Sequence, residues 1–122
     1  MQVSTLTQTA AQTANTKRLA LELSVVRKVV ATMIGAGFLL SVHDGEEITV
    51  HRSRTQRDIL AALRTVDDDT LIVIGADGKR VGRVYFVYGN EPWEVVNDYS
   101  EALEPQMEVA NAYADQIEAK HG

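Results

Sequence analysis

The stretch FLLSVHDGEEITVH, residues 38–51, commits this chain to sheet. Strand-forming residues flank the pair Asp44-Gly45, a strong short-range hairpin signal. A two-residue turn would set Phe38, Leu40 and Val42 against the face opposite Ile48 and Val50. A three-residue loop, His43-Asp44-Gly45, with Gly in the left-handed bulge position, puts all five on one face. The pattern predicts the three-residue loop, with Leu39, Ser41, Glu47, Thr49 and His51 on the other side.

Working outward, Ser53 and Gln56 form a capping-box spacing, and Ile59, Leu60, Leu63 and Val66 give a short amphipathic helix. Asp67, Asp68 and Asp69 stop it. Thr70 to Ile74, the turn Ala76-Asp77-Gly78 and Val81 to Tyr88 read as a second hairpin, so both halves share the order strand, Asp-Gly, strand. An old duplication and independent use of a favoured turn both account for that. Upstream, Leu19, Leu23, Val26, Val30 and Met33 recur at helical spacing from a cap at Asn15 or Thr16, with Leu21, Val25 and Val29 as a second stripe. Gly35 and Gly37 end this helix. Residues 1–14, rich in Thr, Gln and Ala, have no apolar period and read as a disordered tail, leaving 15–122 as one α+β domain.

The last 32 residues carry eight carboxylates against one lysine, net −7, while residues 1–90 are net +2. Glu94, Glu101, Glu108 and Asp115 recur at sevens, which on a helix aligns them along one face. Leu103, Met107, Ala110, Ala114 and Ile117 supply the opposite, apolar face. Pro92 suits the start of this helical region, and Pro105 kinks or splits it into 91–102 and 105–119. The expected fold is therefore α+β: helix, β-hairpin, helix, β-hairpin and a broken C-terminal helix, with up to four antiparallel strands packed against the first and last helices. Apolar residues left over on those helices predict a homodimer.

With 122 residues and no cysteine, the chain has room for one core and has neither disulfide, thiolate nucleophile nor cysteine-based zinc site. No apolar run reaches the length of a membrane span and no signal segment is evident, so the expected location is cytoplasmic. His43, His51 and His121 do not converge, and phosphate-loop, dinucleotide and nucleophile-elbow patterns are missing, so no metal and no cofactor is expected. The three consecutive aspartates lack calcium-loop spacing and read as turn chemistry. Catalysis by carboxylate pairs drawn from Glu91, Glu94 and Asp98 would need a pocket that sequence does not reveal.

Two charged surfaces remain. The acidic stripe reads as a solvated face, as a surface for a basic protein partner, or as a mimic of nucleic-acid charge; a non-enzymatic binding or regulatory role is the leading expectation. Trp93 and Tyr99, if exposed, are its natural anchors. The alternative is a nucleic-acid patch of Arg52, Arg54, Arg57, Lys79, Arg80 and Arg83, with Tyr85 or Tyr88 stacking on bases. A solvated reading and internal pairing with the acidic segment compete with it.

The run VYGNEPWEVVNDYSEALEP, residues 87–105, resembles small proteins of no assigned activity encoded in bacterial genomes and on mobile elements. There, a Tyr-Gly-Asn strand end precedes a helix with an Asp-Tyr pair. The resemblance implies a phage or plasmid accessory protein and brings no catalytic residues with it.

Overall fold

The computed structural model describes the backbone of residues 2–122 and side chains from Ala10 onward. The chain is α+β: a long first helix, an antiparallel five-stranded sheet interrupted by a short helix, and a C-terminal helix. Helix α1 spans Gln2–Gly35, then β1 Leu39–His43, β2 Ile48–Ser53, α2 Gln56–Ala62, β3 Asp68–Ile74, β4 Arg80–Val87, β5 Val96–Tyr99 and α3 Glu104–His121. The strands lie in the order β2-β1-β3-β4-β5, every neighbouring pair antiparallel.

Helix α1 starts at Gln2, well before the expected cap at Asn15 or Thr16. Residues 10–17 on it are exposed, so burial begins only where the apolar stripes do. Its end follows expectation: Gly37 takes φ 91°, its N–H donates to the Ile34 carbonyl, and the Phe38 N–H reaches the Met33 carbonyl. That is a glycine-terminated Schellman end, and Phe38 then packs against the core.

All three helices cover one face of the sheet. Val25, Val26, Val29, Val30 and Met33 of α1, Ile59 and Leu63, and Leu103, Met107 and Ala110 pack on Leu40, Val42, Leu71, Val73, Val84 and Phe86 in one buried cluster. Burying each large apolar side chain contributes about 2 kcal/mol, the main reason the two layers stay together. On the opposite face Thr70, Ile72, Arg83 and Tyr85 are half-buried, while Ser41 and Ile74 are buried.

The first hairpin departs from the expected three-residue loop. Val42 pairs with Val50 and His43 with Ile48, so the loop is Asp44–Glu47. The Asp44 carboxylate accepts the N–H groups of Glu46 and Glu47, both at 2.9 Å, which closes the loop and lowers the carboxyl's pKa. A register break at Thr49 leaves Val50 on the helix-covered side and moves Ile48 to the other. A second break puts Arg52 at φ 46° and lets its N–H donate to the Ser41 hydroxyl at 2.8 Å.

Thr55 rather than Ser53 stands at the N-cap position of α2 and makes no side-chain cap there; the Ser53 hydroxyl instead accepts the Thr55 N–H, and the helix stops at Ala62. Val66 is therefore outside the helix and exposed. Residues 91–102 are not helical as a unit. A 3-10 turn, Pro92–Glu94, leads into β5, and a second, Glu101–Leu103, into α3. Val95, Val96 and Tyr99 favour strand, and β5 pairs with the otherwise open edge of β4, so tertiary hydrogen bonding overrides the seven-residue spacing. Pro105 consequently starts α3 instead of kinking a longer helix.

Candidate functional site

The predicted stripe is rearranged. Glu94 and Glu101 sit on the two 3-10 turns, Glu108 and Asp115 on α3, and all four are exposed. At about 100° per residue, Glu104, Glu108, Asn111, Asp115 and Glu118 fall within roughly 40° of one line along α3. This ridge flanks the buried row Met107, Ala110 and Ala114. At its base the Tyr99 hydroxyl donates to Glu104 at 2.7 Å, and Asn111 Nδ2 donates to the same hydroxyl at 3.4 Å. The bond to Glu104 raises the phenol's pKa.

Internal pairing accounts for little of the C-terminal acidity. Asp98 meets Arg83 at 3.1 Å; among the described residues Glu91, Glu94, Glu101, Glu108, Asp115 and Glu118 have no ion pair. Trp93 and Tyr99 are half-buried against the core rather than free. One side of Trp93 lines a groove of about 210 Å³ with Leu21, Lys17 and Glu91, so part of the ring remains accessible.

The proposed basic patch divides. Arg83 is taken by Asp98 and Arg57 by its neighbour Asp58 at 3.2 Å. Arg54 is exposed between β2 and α2. Arg52, Arg80 and Lys79 gather where β2 faces the β3–β4 turn, and the Arg52 guanidinium reaches across to Gly78. Beneath them is a concavity of about 400 Å³ on the helix-free face, with Ser41, Ile72 and Ile74 in its lining. Tyr85 stands on that face too, its hydroxyl donating to Asp68 at 2.6 Å. Tyr88 does not: it is held inside, as follows.

A third constellation escaped the sequence reading. Glu22, 2% exposed, accepts Arg64 Nε at 3.3 Å, lies 3.6 Å from Arg18 and accepts the Gly89 N–H at 3.0 Å. Asp69, also 2% exposed, accepts the Tyr88 hydroxyl at 2.5 Å and the Arg64 N–H at 2.9 Å. Burial raises the Asp69 pKa while the Tyr88 and Arg64 donors oppose the rise; burial, with the bond to Asp69, pushes the Tyr88 phenol far up. Arg64, at φ 68°, is gripped through both backbone and side chain. The cluster ties α1, the α2–β3 connection and the end of β4 together. Every buried side-chain polar atom among the described residues has a partner, those of this cluster included, and Glu22, Arg64 and Tyr88 also line a surface cavity of about 310 Å³. Its signal in the sequence was Glu22 itself, an acid lying on the apolar stripe of α1 between Leu19 and Val26.

Among the described residues no group of three or more potential ligands could hold a metal ion, and no helix is long and apolar enough to cross a membrane. No protein-family model matches the chain, and neither a curated protein nor a solved structure is significantly similar to it.

Proposed function

We propose that the chain is a non-enzymatic binding protein that presents the acidic ridge of α3, continued by Glu94 and Glu101, to a basic protein partner. The observation that supports this reading is the set of exposed carboxylates left without ion pairs among the described residues after the fold has satisfied Asp98, Glu22 and Asp69. Such a row repels itself, since like charges three or four residues apart on a helix each cost a few tenths of a kcal/mol. It also steers a cationic surface toward it and repels acidic ones. The accessible side of Trp93 offers an apolar anchor at the edge of this surface, in a groove it shares with Leu21, Glu91, Lys17 and Arg18. An accessory role of the kind phages and plasmids encode suits a small chain built this way, and flanking phage, plasmid or defence genes would give the class of partner.

The test compares affinity capture by the natural chain with capture by a variant carrying Glu94, Glu101, Glu108 and Asp115 as Gln. The expected result is a basic protein retained at low salt, released as salt rises, and absent from the variant. A partner that stays bound to the variant removes the ridge as the contact.

A further inference from the structure

Independently of the acidic ridge, the helix-free face of the sheet carries a site of opposite sign. Arg52 occupies a left-handed conformation, φ 46°, at a register break in β2. No glycine or asparagine fills that position, although either would accept it with less strain. Strain held at a β-bulge re-aims a side chain, and here the Arg52 guanidinium is carried inward over the sheet to Gly78 in the β3–β4 turn. The concavity it overhangs is about 400 Å³, with Ile72, Ile74 and Ser41 below and His51, Arg52 and Arg80 around them. No carboxylate lines it, and neither Arg52 nor Arg80 has an ion pair among the described residues. Lys79, beside Arg80 in the chain, and Arg54, two residues after Arg52, are both exposed.

We propose that this face binds single-stranded nucleic acid, with phosphates on Arg52 and Arg80 and a base laid against Ile72 and Ile74. Guanidiniums without an ion pair suit phosphate oxygens, and the concavity gives a base that a duplex keeps stacked an apolar wall, chiefly the half-buried Ile72, to lie against. A double helix fits the site poorly, because neither a helix nor a protruding ribbon stands on this face to enter a groove. The acidic ridge belongs to α3, in the layer on the other side of the sheet, and a screening length of about 8 Å at physiological salt keeps the two fields distinct.

The experiment is fluorescence anisotropy with a labelled ten-nucleotide oligo-dT and the full chain. Saturable binding is expected at about 50 mM salt, weakening about 20-fold by 200 mM if three phosphates are neutralised. Arg80→Ala is expected to weaken binding about tenfold and to flatten the salt dependence by about one phosphate. Arg52→Gly is expected to do the same while raising Tm, because glycine relaxes the left-handed bulge. Oligonucleotide binding is read on the natural chain and the two basic-site variants, whose acidic ridge is intact, which separates failure of this site from failure of the ridge.

Absence of binding at 50 mM salt, or binding indifferent to both basic-site variants, overturns the proposal. So does equal competition by duplex of the same length, or by free thymidine monophosphate at the same nucleotide concentration. A fall in Tm for Arg52→Gly would assign the bulge to the fold and overturn it as well. If sedimentation showed self-association that disappeared in either basic-site variant, the occupant would be the acidic ridge of a second copy instead.

Discussion

Asp69 is the residue whose chemistry most constrains the fold. A buried acid with a raised pKa is held more easily protonated than ionised. Its contribution is therefore fullest below the ordinary carboxyl value of 3.8 and is lost as pH climbs through the raised folded value. The donors from Tyr88 and Arg64 limit that loss by stabilising the charged form. Tyr88→Phe removes one of them, so the folded value rises further and stability falls more steeply with pH. The expected deficit is about 1 kcal/mol near pH 4 and about 2 kcal/mol near pH 7, since a hydrogen bond to a charged acceptor is the stronger kind. Urea melts of both proteins at the two pH values read this directly. Equal deficits would mean that the bond does not serve an ionised Asp69.

At the scale of elements, Gly82 explains why β5 lies where it does. It is buried in β4, and a Cβ there would meet the Ser100 Cβ at 2.7 Å and a Leu103 methyl at 3.3 Å. The missing side chain lets the backbone after β5 press close, and Ser100 then exchanges hydrogen bonds with Arg83 through its hydroxyl and its N–H. Gly82→Ala is expected to cost about 2 kcal/mol by overpacking, and to loosen β5 first. Hydrogen exchange should show faster amides at Val96 and Ser100 with little change in β1 and β3; slowing everywhere alike would contradict the close-approach reading. This element also marks where sequence reasoning ended. Asp44-Gly45, the α1 stripes and Gly37 specify local geometry through local chemistry, and the presence of the hairpins and the end of the first helix were legible from them, while the first hairpin's loop length and the start of α1 were not. The choice of strand for Val96–Tyr99 depends on an open edge ten or more residues away, and the spacing of Glu94 and Glu101 matched a helix that this pairing displaces. The Arg52 bulge was hidden for a related reason: nothing at 49–53 announces a left-handed residue, because Arg is not the type such positions select. Of the candidate surfaces, the residue types were legible, while which charges remain unpaired was settled only by folding.

For the molecule as a whole, α3 carries acids and the rim of the open sheet face carries Arg52 and Arg80, in both cases without ion pairs among the described residues. The helix layer also holds the bases Arg27 and Lys28 of α1, and the open face holds Asp68 beside Tyr85, so the two signs are concentrated rather than segregated. Internal neutralisation, the cheapest account of net −7 against net +2, is confined to contacts such as Arg83 with Asp98. The ridge then works against the helix that bears it: Glu104 with Glu108 and Asp115 with Glu118 are like-charge neighbours, and Glu118 sits near the negative end of the α3 dipole. Replacing Glu108, Asp115 and Glu118 together by Gln is expected to raise stability by about 1 kcal/mol at low ionic strength, with the gain shrinking as salt screens the repulsion. Thermal melts at two salt concentrations measure it. A loss of stability instead would show the carboxylates serving the fold through contacts that Gln cannot replace. A gain, accompanied by loss of the captured partner, would identify a surface whose charge is kept at the expense of stability, the mark expected of residues retained for binding.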